Sequence, residues 1–275
     1  MIDFENCDKI KIAYASPSYR RPVCRTARYI KKTNIYIDKS DEEAYREANK
    51  GYGNIVVCKD GIQGNLPRVR NYILDQEFGN GADIVVMMDD DINYIGYFDV
   101  DEINGFGYVK NKIHGKEIDD FIIYGSLLCQ EWGFGMWGCN HYEEPLYYNH
   151  FSPFSTQNSC VGQFMVFIKD DLRFDEKLPL KEDYDMSIQQ LNKYRGTLTL
   201  KFCYCKGDFG KLAGGTAVRR NHKAEFEQFK LFKKKWGSEI VKGTNELSGG
   251  KGKKKTFIKK YDFSHPVVKC PIKGI

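Results

Sequence analysis

"IVVMMDDDI", residues 84–92, decides how this chain is read. Five apolar residues fit a buried strand, and they run straight into three aspartates. Adjacent carboxylates repel one another unless water or a cation lies among them. Hard oxygen ligands leaving a strand end suit Mg2+ or Mn2+. Alternate strand residues share a side, so Asp89 and Asp91 can converge on one ion. The plainer alternative is a loop of solvated acids, or acids that cap the next segment.

Strand and helix patterns alternate upstream of this stretch. "KIKIAYAS" (9–16), "NIYID" (34–38) and "NIVVCKD" (54–60) read as strands. Between them stand "RPVCRTARYIKK" (21–32), with Pro22 suited to a helix start, and "SDEEAYREANK" (40–50), with Ser40 or Asp41 as N-cap. "NLPRVRNYILDQEFG" (65–79) is a third helix, closed by glycine. This alternation predicts an α/β fold with a mainly parallel sheet flanked by helices. In such sheets ligands bind beyond the carboxyl ends of the strands, where the three aspartates lie.

Residues 97–160 change character, with a helix pattern in "EIDDFIIYGSLLCQEWG" (117–133) and then a glycine- and aromatic-rich run. Trp132, Phe134, Trp137, Tyr142, Tyr147 and Tyr148 there suit core packing, or stacking on a sugar or an extruded base. A strand, "VGQFMVFIK" (161–169), precedes a second acidic cluster, "KEDYDMSIQQL" (181–191), at a helix start. Acids favour a helix N-terminus without any catalytic duty. Two acidic clusters in this order on an α/β scaffold can nevertheless supply a metal site and a general base. A strand at "LTLKFCYCK" (198–206), a glycine-rich loop and an amphipathic helix "AEFEQFKLFKKKWG" (224–237) follow.

The net charge of +5 over 275 residues hides an asymmetry. From Arg219 onward 16 Lys+Arg face 5 Asp+Glu, giving +11, and the remainder is −6. A basic segment with interleaved Phe257, Tyr261 and Phe263 suggests a polyanionic partner, with a solvated, solubilising tail as the alternative. The expected division is a catalytic domain over 8–236, with 97–160 on the acceptor side, and a basic arm over 237–275. No apolar run approaches the length of a membrane span, and the acidic N-terminus lacks a signal-peptide pattern. Nine cysteines without a C-x-x-C pair read as reduced thiols. The chain is expected in the cytoplasm, that of a host cell if a phage encodes it.

"MMDDD" after a buried strand resembles the D-x-D motif of GT-A glycosyltransferases. "KEDYDMSIQQL" is similar to their later E-D motif, and "NLPRVRN" to the arginine–asparagine helix of that fold. The likeness spans roughly residues 10 to 225, with a divergent middle. "YASPSYRR", "GIQGNLPRVRN" and "VMMDDDI" together resemble the phage glycosyltransferases associated with TET/JBP-type dioxygenases, which are implicated in glycosylating hydroxymethylpyrimidines in DNA.

That resemblance implies a GT-A-like (Rossmann-like) fold, an Mn2+ or Mg2+ cofactor, and a nucleotide-sugar donor such as UDP-glucose or UDP-N-acetylglucosamine. It further implies that Asp89, Asp91 and His222 hold the metal. Ser16, Pro17, Ser18, Tyr19, Arg20, Asp38 and Asp90 contact the nucleotide, while Arg68, Arg70 and Arg219 reach the phosphates or sugar. Asp183 is the general base if transfer inverts configuration, and Glu182 binds sugar hydroxyls. Hydroxymethylcytosine in DNA becomes the expected acceptor, with the arm holding the duplex or strand. A transferase acting on protein or polysaccharide and a non-catalytic DNA-binding module are the competing readings. A nucleotidyltransferase is disfavoured because "YASPSYRRP" (14–22) carries no glycine.

Overall fold

A computed structural model of the chain describes residues 2–101, 107–140, 143–145, 148, 150–158, 162–208, 214–215, 220–243, 263 and 265–269. The fold is α/β, a mixed sheet with helices packed on both faces. Strands β1 (Ile12–Pro17), β2 (Asn34–Ile37), β3 (Asn54–Val57) and β4 (Ile84–Met88) are parallel, in the order β3-β2-β1-β4. Helices α1 (Arg25–Tyr29), α2 (Glu42–Ala48) and α3 (Leu66–Gly79) connect them.

β4 carries the opening stretch and is buried along its whole length. Its period of two feeds two cores. Ile84, Val86 and Met88 enter the one that holds Ile118, Ile122 and Cys129 of helix α4 (Glu117–Glu131). Val85 and Met87 enter the other, with Val69, Ile73 and Leu74 of α3 and Met186 of helix α5 (Glu182–Tyr194). Burial on both sides explains a run with no polar alternation.

The sheet departs from the parallel pattern beyond β4. The aspartates lead straight into a hairpin of β5 (Ile92–Asp101) and β6 (Gly107–Lys112). Strands β7 (Met136–Asn140), β8 (Phe154–Ser155), β9 (Phe164–Ile168) and β10 (Leu198–Gly207) complete the order β4-β9-β7-β10-β5-β6, with β8 also on β10. β9 runs antiparallel to β4 and β7, so β1, β4, β7 and β10 end at one edge. Cys139 and Cys205 meet across β7 and β10 as buried free thiols, 3.3 Å apart.

Local chemistry sets the helix starts. Asn65 caps α3 by accepting from the Arg68 amide at 3.1 Å. α1 is shorter than its pattern suggested, and its first amides, of Arg25 and Thr26, donate to the Asp90 carbonyl at 2.8 and 3.4 Å. Neither Ser40 nor Asp41 caps α2 through its side chain. Asp38 instead caps the short turn before it, accepting from the Ser40 amide at 2.9 Å.

The basic C-terminal segment is not wholly an appendage. After helix α6 (His222–Trp236), strand β11 (Val241–Lys242) pairs with β12 (Val267–Val268). Phe263 and Val268 pack on a core of Leu178, Ile188, Phe229, Phe232 and Val241. The lysine-rich residues 251–260 lie outside the described residues.

Candidate active site

The three aspartates occupy the sheet edge that the parallel half predicts, and each has its own environment. Asp90 is buried. Ser18 Oγ and an Arg21 guanidinium nitrogen donate to its carboxylate, while its carbonyl holds the start of α1. Burial pushes its carboxyl up to about 6, against the opposing pull of Arg21 and Ser18. Asp90 thus ties the β1–α1 loop to the end of β4.

Asp91, also buried, accepts from the same Arg21 nitrogen at 3.2 Å through Oδ2, and its Oδ1 has no hydrogen-bond partner. Burial raises its carboxyl, and Arg21 opposes the rise. Asp89 keeps 35% of its side-chain surface exposed and lies 3.2 Å from Arg70. Its carboxyl is pushed up to about 7 by loss of solvation, with Asp91, Asp90 and Asp183 adding repulsion and Arg70 opposing.

Arg70 joins the two acidic clusters. Its side chain is 1% exposed, and one terminal nitrogen donates to Asp89 and, at 2.9 Å, to the Gly162 carbonyl. The other terminal nitrogen lies 3.4 Å from Glu182 Oε1, and Phe174 packs 5.6 Å below the guanidinium. Glu182 is pushed up to about 8, first by burial and then by the Asp183 charge. Asp183 is half-buried beside Gly162, where an added Cβ would stand 3.1 Å from Asp183 Oδ2. Its Oδ1 accepts from the Tyr184 amide at 2.8 Å.

A second charged group backs Asp183. Lys181 is buried in an ion pair with Glu225 of α6, and Arg220 reaches the same carboxylate at 2.9 Å. His265 stands among these groups. Burial, Lys181 and Arg220 lower its pKa, while Glu225 and Asp183 act the other way.

The expected metal set is not brought together. His222 is exposed at the first position of α6, with its ring 5.9 Å from Phe263. Among the described residues no group of three His, Cys, Asp or Glu side chains is close enough to hold an ion. His265, exposed just before β12, is a histidine that feels the Asp183 charge.

The other expected positions divide. Ser16 is buried with an unpartnered hydroxyl, and Pro17 and Ser18 are buried beside it. Tyr19 is half-buried under the exposed Arg20 guanidinium at 5.1 Å. Asp38 turns back on Ser40, which lowers its pKa. Arg68 is engaged elsewhere, bonding Glu176 at 2.8 Å and the Gly61 carbonyl at 2.7 Å. The glycine loop touches the β1–α1 loop, since the Gly215 amide donates to the Tyr19 carbonyl at 2.9 Å. Gly214, at φ +94°, leaves only 2.6 Å between a would-be Cβ and the Arg20 carbonyl. Arg219, Tyr142 and Tyr147 lie outside the described residues. Trp137 is core, and Tyr148 packs on Phe98 and Tyr108.

Arg21, Asp208 and Arg25 were not foreseen. Asp208 pairs with Arg25, and its amide donates to the Asp91 carbonyl at 3.2 Å. The doubled arginine at 20–21 was the available signal for Arg21.

No protein-family model matches the chain, and no curated protein matches it in sequence. Among solved structures, glucosyl-3-phosphoglycerate synthase from Mycobacterium tuberculosis with phosphoglyceric acid is 8% identical. The alignment covers 89% of this chain and 88% of that one, at a TM-score of 0.47. The same enzyme with Mn2+, UDP and glucosyl-3-phosphoglycerate gives 9% identity, 88% of each chain and 0.45. CMP:2-keto-3-deoxy-manno-octonic acid synthetase with CTP gives 10%, 82% and 99%, and 0.40. At such identities and scores these likenesses do not extend to activity.

Proposed function

We propose that the protein transfers a sugar from a nucleotide-sugar donor to a hydroxyl group. The observation that carries this reading is Arg70, which joins Asp89 at the strand end to Glu182 of the later acidic cluster in one site at the carboxyl edge of the sheet. Five carboxyl groups (Asp89, Asp90, Asp91, Glu182 and Asp183) face two guanidinium groups, and one buried carboxylate oxygen, Asp91 Oδ1, has no hydrogen-bond partner. That surplus of hard oxygen donors fits a divalent cation, Mn2+ or Mg2+, held by Asp91 and Asp89. Bound there, such an ion supplies Lewis-acid neutralisation of a diphosphate leaving group.

The chain's own residues supply the rest. The bond from the anomeric carbon to the donor's phosphate oxygen breaks, and a bond to the acceptor oxygen forms. Asp183 accepts the acceptor's proton in an inverting transfer. Its Oδ1 is fixed by the Tyr184 amide, and the bare backbone of Gly162 leaves room beside Oδ2. Glu182 binds a sugar hydroxyl. The end of β1, with Ser16, and the β1–α1 loop, with Tyr19, receive the nucleotide, and Gly214 and Gly215 lie against that loop.

The finer reading is a UDP-sugar donor and hydroxymethylcytosine in DNA as acceptor. Its support is the likeness of the sequence motifs and the excess of basic residues after Arg219. The test is nucleoside mass spectrometry of hydroxymethylcytosine-containing DNA after incubation with the protein, Mn2+ and a panel of UDP-sugars. A hexose-sized gain on the modified base is expected. Donor hydrolysis without that gain removes DNA as acceptor and keeps the transferase. No turnover of any donor overturns the reading.

A further inference from the structure

The acid cluster is not the only charged feature at the sheet edge. Residues 20–32, "RRPVCRTARYIKK", hold six basic side chains and no acidic one. They form the loop and helix that grip the aspartates, since α1 begins on the Asp90 carbonyl and Thr26 Oγ1 bonds the Asp89 carbonyl. The positive charge therefore starts at the site and leads away from it along α1.

Three of the six cations already have carboxylate partners, and a fourth covers its neighbour's ring. Arg21 serves Asp90 and Asp91, Arg25 serves Asp208, Lys32 serves Asp119 at 2.6 Å, and Arg20 lies over Tyr19. Arg28 and Lys31 differ. Both are exposed, and neither has a carboxylate partner among the described residues. Both lie instead over one ring, that of Tyr52, at 5.7 and 5.8 Å from its centroid. Tyr52 is itself 37% exposed. Arg28 also lines a cleft of about 540 Å³ with Val23, Arg25, Tyr29 and Asn93, and Asn93 reaches Asp208 at 3.3 Å. Arg28 thus stands both at this cleft and over the Tyr52 ring, and Asn93 and Asp208 link the cleft to Asp91.

We infer that the α1 face, through Arg28, Lys31 and Tyr52, binds a single strand of nucleic acid that passes the cleft on its way to the acid cluster. Two features select this partner. Two cations gathered at one ring, neither with a carboxylate partner among the described residues, match neighbouring phosphates of one backbone. The ring they share is itself exposed and offers an unpaired base an aromatic surface, a contact that the stacked bases of a duplex cannot make. The inference rests on the reading of a DNA acceptor, and it assigns the strand to α1 instead of the lysine-rich residues 251–260.

The experiment is fluorescence anisotropy with a labelled oligothymidine strand over a salt series. It compares the full chain, Arg28→Ala/Lys31→Ala, Tyr52→Ala, and a chain with Lys251, Lys253, Lys254, Lys255, Lys259 and Lys260 changed to Ser. All three α1-face residues are exposed, and circular dichroism verifies folding. Removing two phosphate contacts flattens the log–log salt slope by about 1.4. Removing the stacking ring weakens binding roughly ten-fold. An unchanged slope in the double variant overturns the inference, as does binding lost only in the lysine-to-serine chain. Equal affinity for a duplex with no dependence on Tyr52 also overturns it. UDP-sugar hydrolysis is measured in parallel on the same variants. Strand binding that depends on α1 without donor turnover keeps this inference and sinks the transferase, and the reverse pattern does the opposite.

Discussion

Arg70→Met separates an arginine that merely packs from one that balances the acid cluster. Methionine keeps the apolar contact over Phe174 and removes the charge. Arg70 pulls the carboxyls of Asp89 and Glu182 down, yet both remain raised, to about 7 and about 8. A carboxyl whose folded pKa exceeds its unfolded value keeps a proton that the unfolded chain releases. Its contribution to stability therefore falls as pH rises from about 4 towards the folded pKa. Loss of Arg70 raises both values further, so the fall becomes steeper and reaches higher pH. At about pH 8.5 Glu182 of the variant still holds a proton that the unfolded chain has released, and each pKa unit gained below that pH costs ~1.4 kcal/mol. Asp89 adds less, because its 35% exposure lets water screen it. At about pH 5 both carboxyls hold protons, and the main loss is the bond to the Gly162 carbonyl, ~1.5–3 kcal/mol. Urea unfolding of both proteins at the two pH values should show the larger destabilisation at the higher pH, by roughly 1–2 kcal/mol. Equal destabilisation at both would refute the balancing role and leave Arg70 as packing.

Asp183→Asn should lower the sugar-transfer rate by about 10²–10⁴-fold with unchanged thermal unfolding. A fall in donor affinity with an unchanged rate would make Asp183 a binding group instead. Mn2+ at about 100 times its dissociation constant should stabilise the protein by ~2.7 kcal/mol, and Asp91→Asn should abolish the effect. A retained thermal shift in that variant would remove Asp91 from the ion's ligands. Gly214→Ala places a Cβ 2.6 Å from the Arg20 carbonyl at a positive φ, so it should cost ~1–2 kcal/mol in thermal unfolding. An unchanged transition would mean the loop does not need its close approach. Truncation after Leu247 should lower stability, since it removes β12 and Phe263 from the α6 core. Unfolding at the same temperature as the full chain would show that this docking contributes nothing.

The parallel half of the sheet was legible because each strand sits between turn signals, and the helix between β3 and β4 carries its cap, Asn65. The β5–β6 hairpin was not. Its strands hold Asp99 and Lys110 at positions facing water, so no apolar run marked them. Helical geometry held the clue to Arg70. It stands three, four and seven residues before Ile73, Leu74 and Glu77, all buried, and so lies on the inward stripe, while Arg68, two positions away, faces out to Glu176. The pairing of histidine with the site was illegible. His222 and His265 flank the same basic segment, and only the pairing of β11 with β12 returns the second one to Asp183. The question set by three adjacent aspartates has the same kind of answer. Their counter-charges come from Arg21, far upstream of Asp90, and from Arg70 on α3, so sequence alone displays the repulsion and hides the compensation. The fold offsets only part of that repulsion. Asp89, Asp90 and Glu182 keep raised proton affinities with both arginines in place, which is the expected condition of a carboxylate site still able to take another cation.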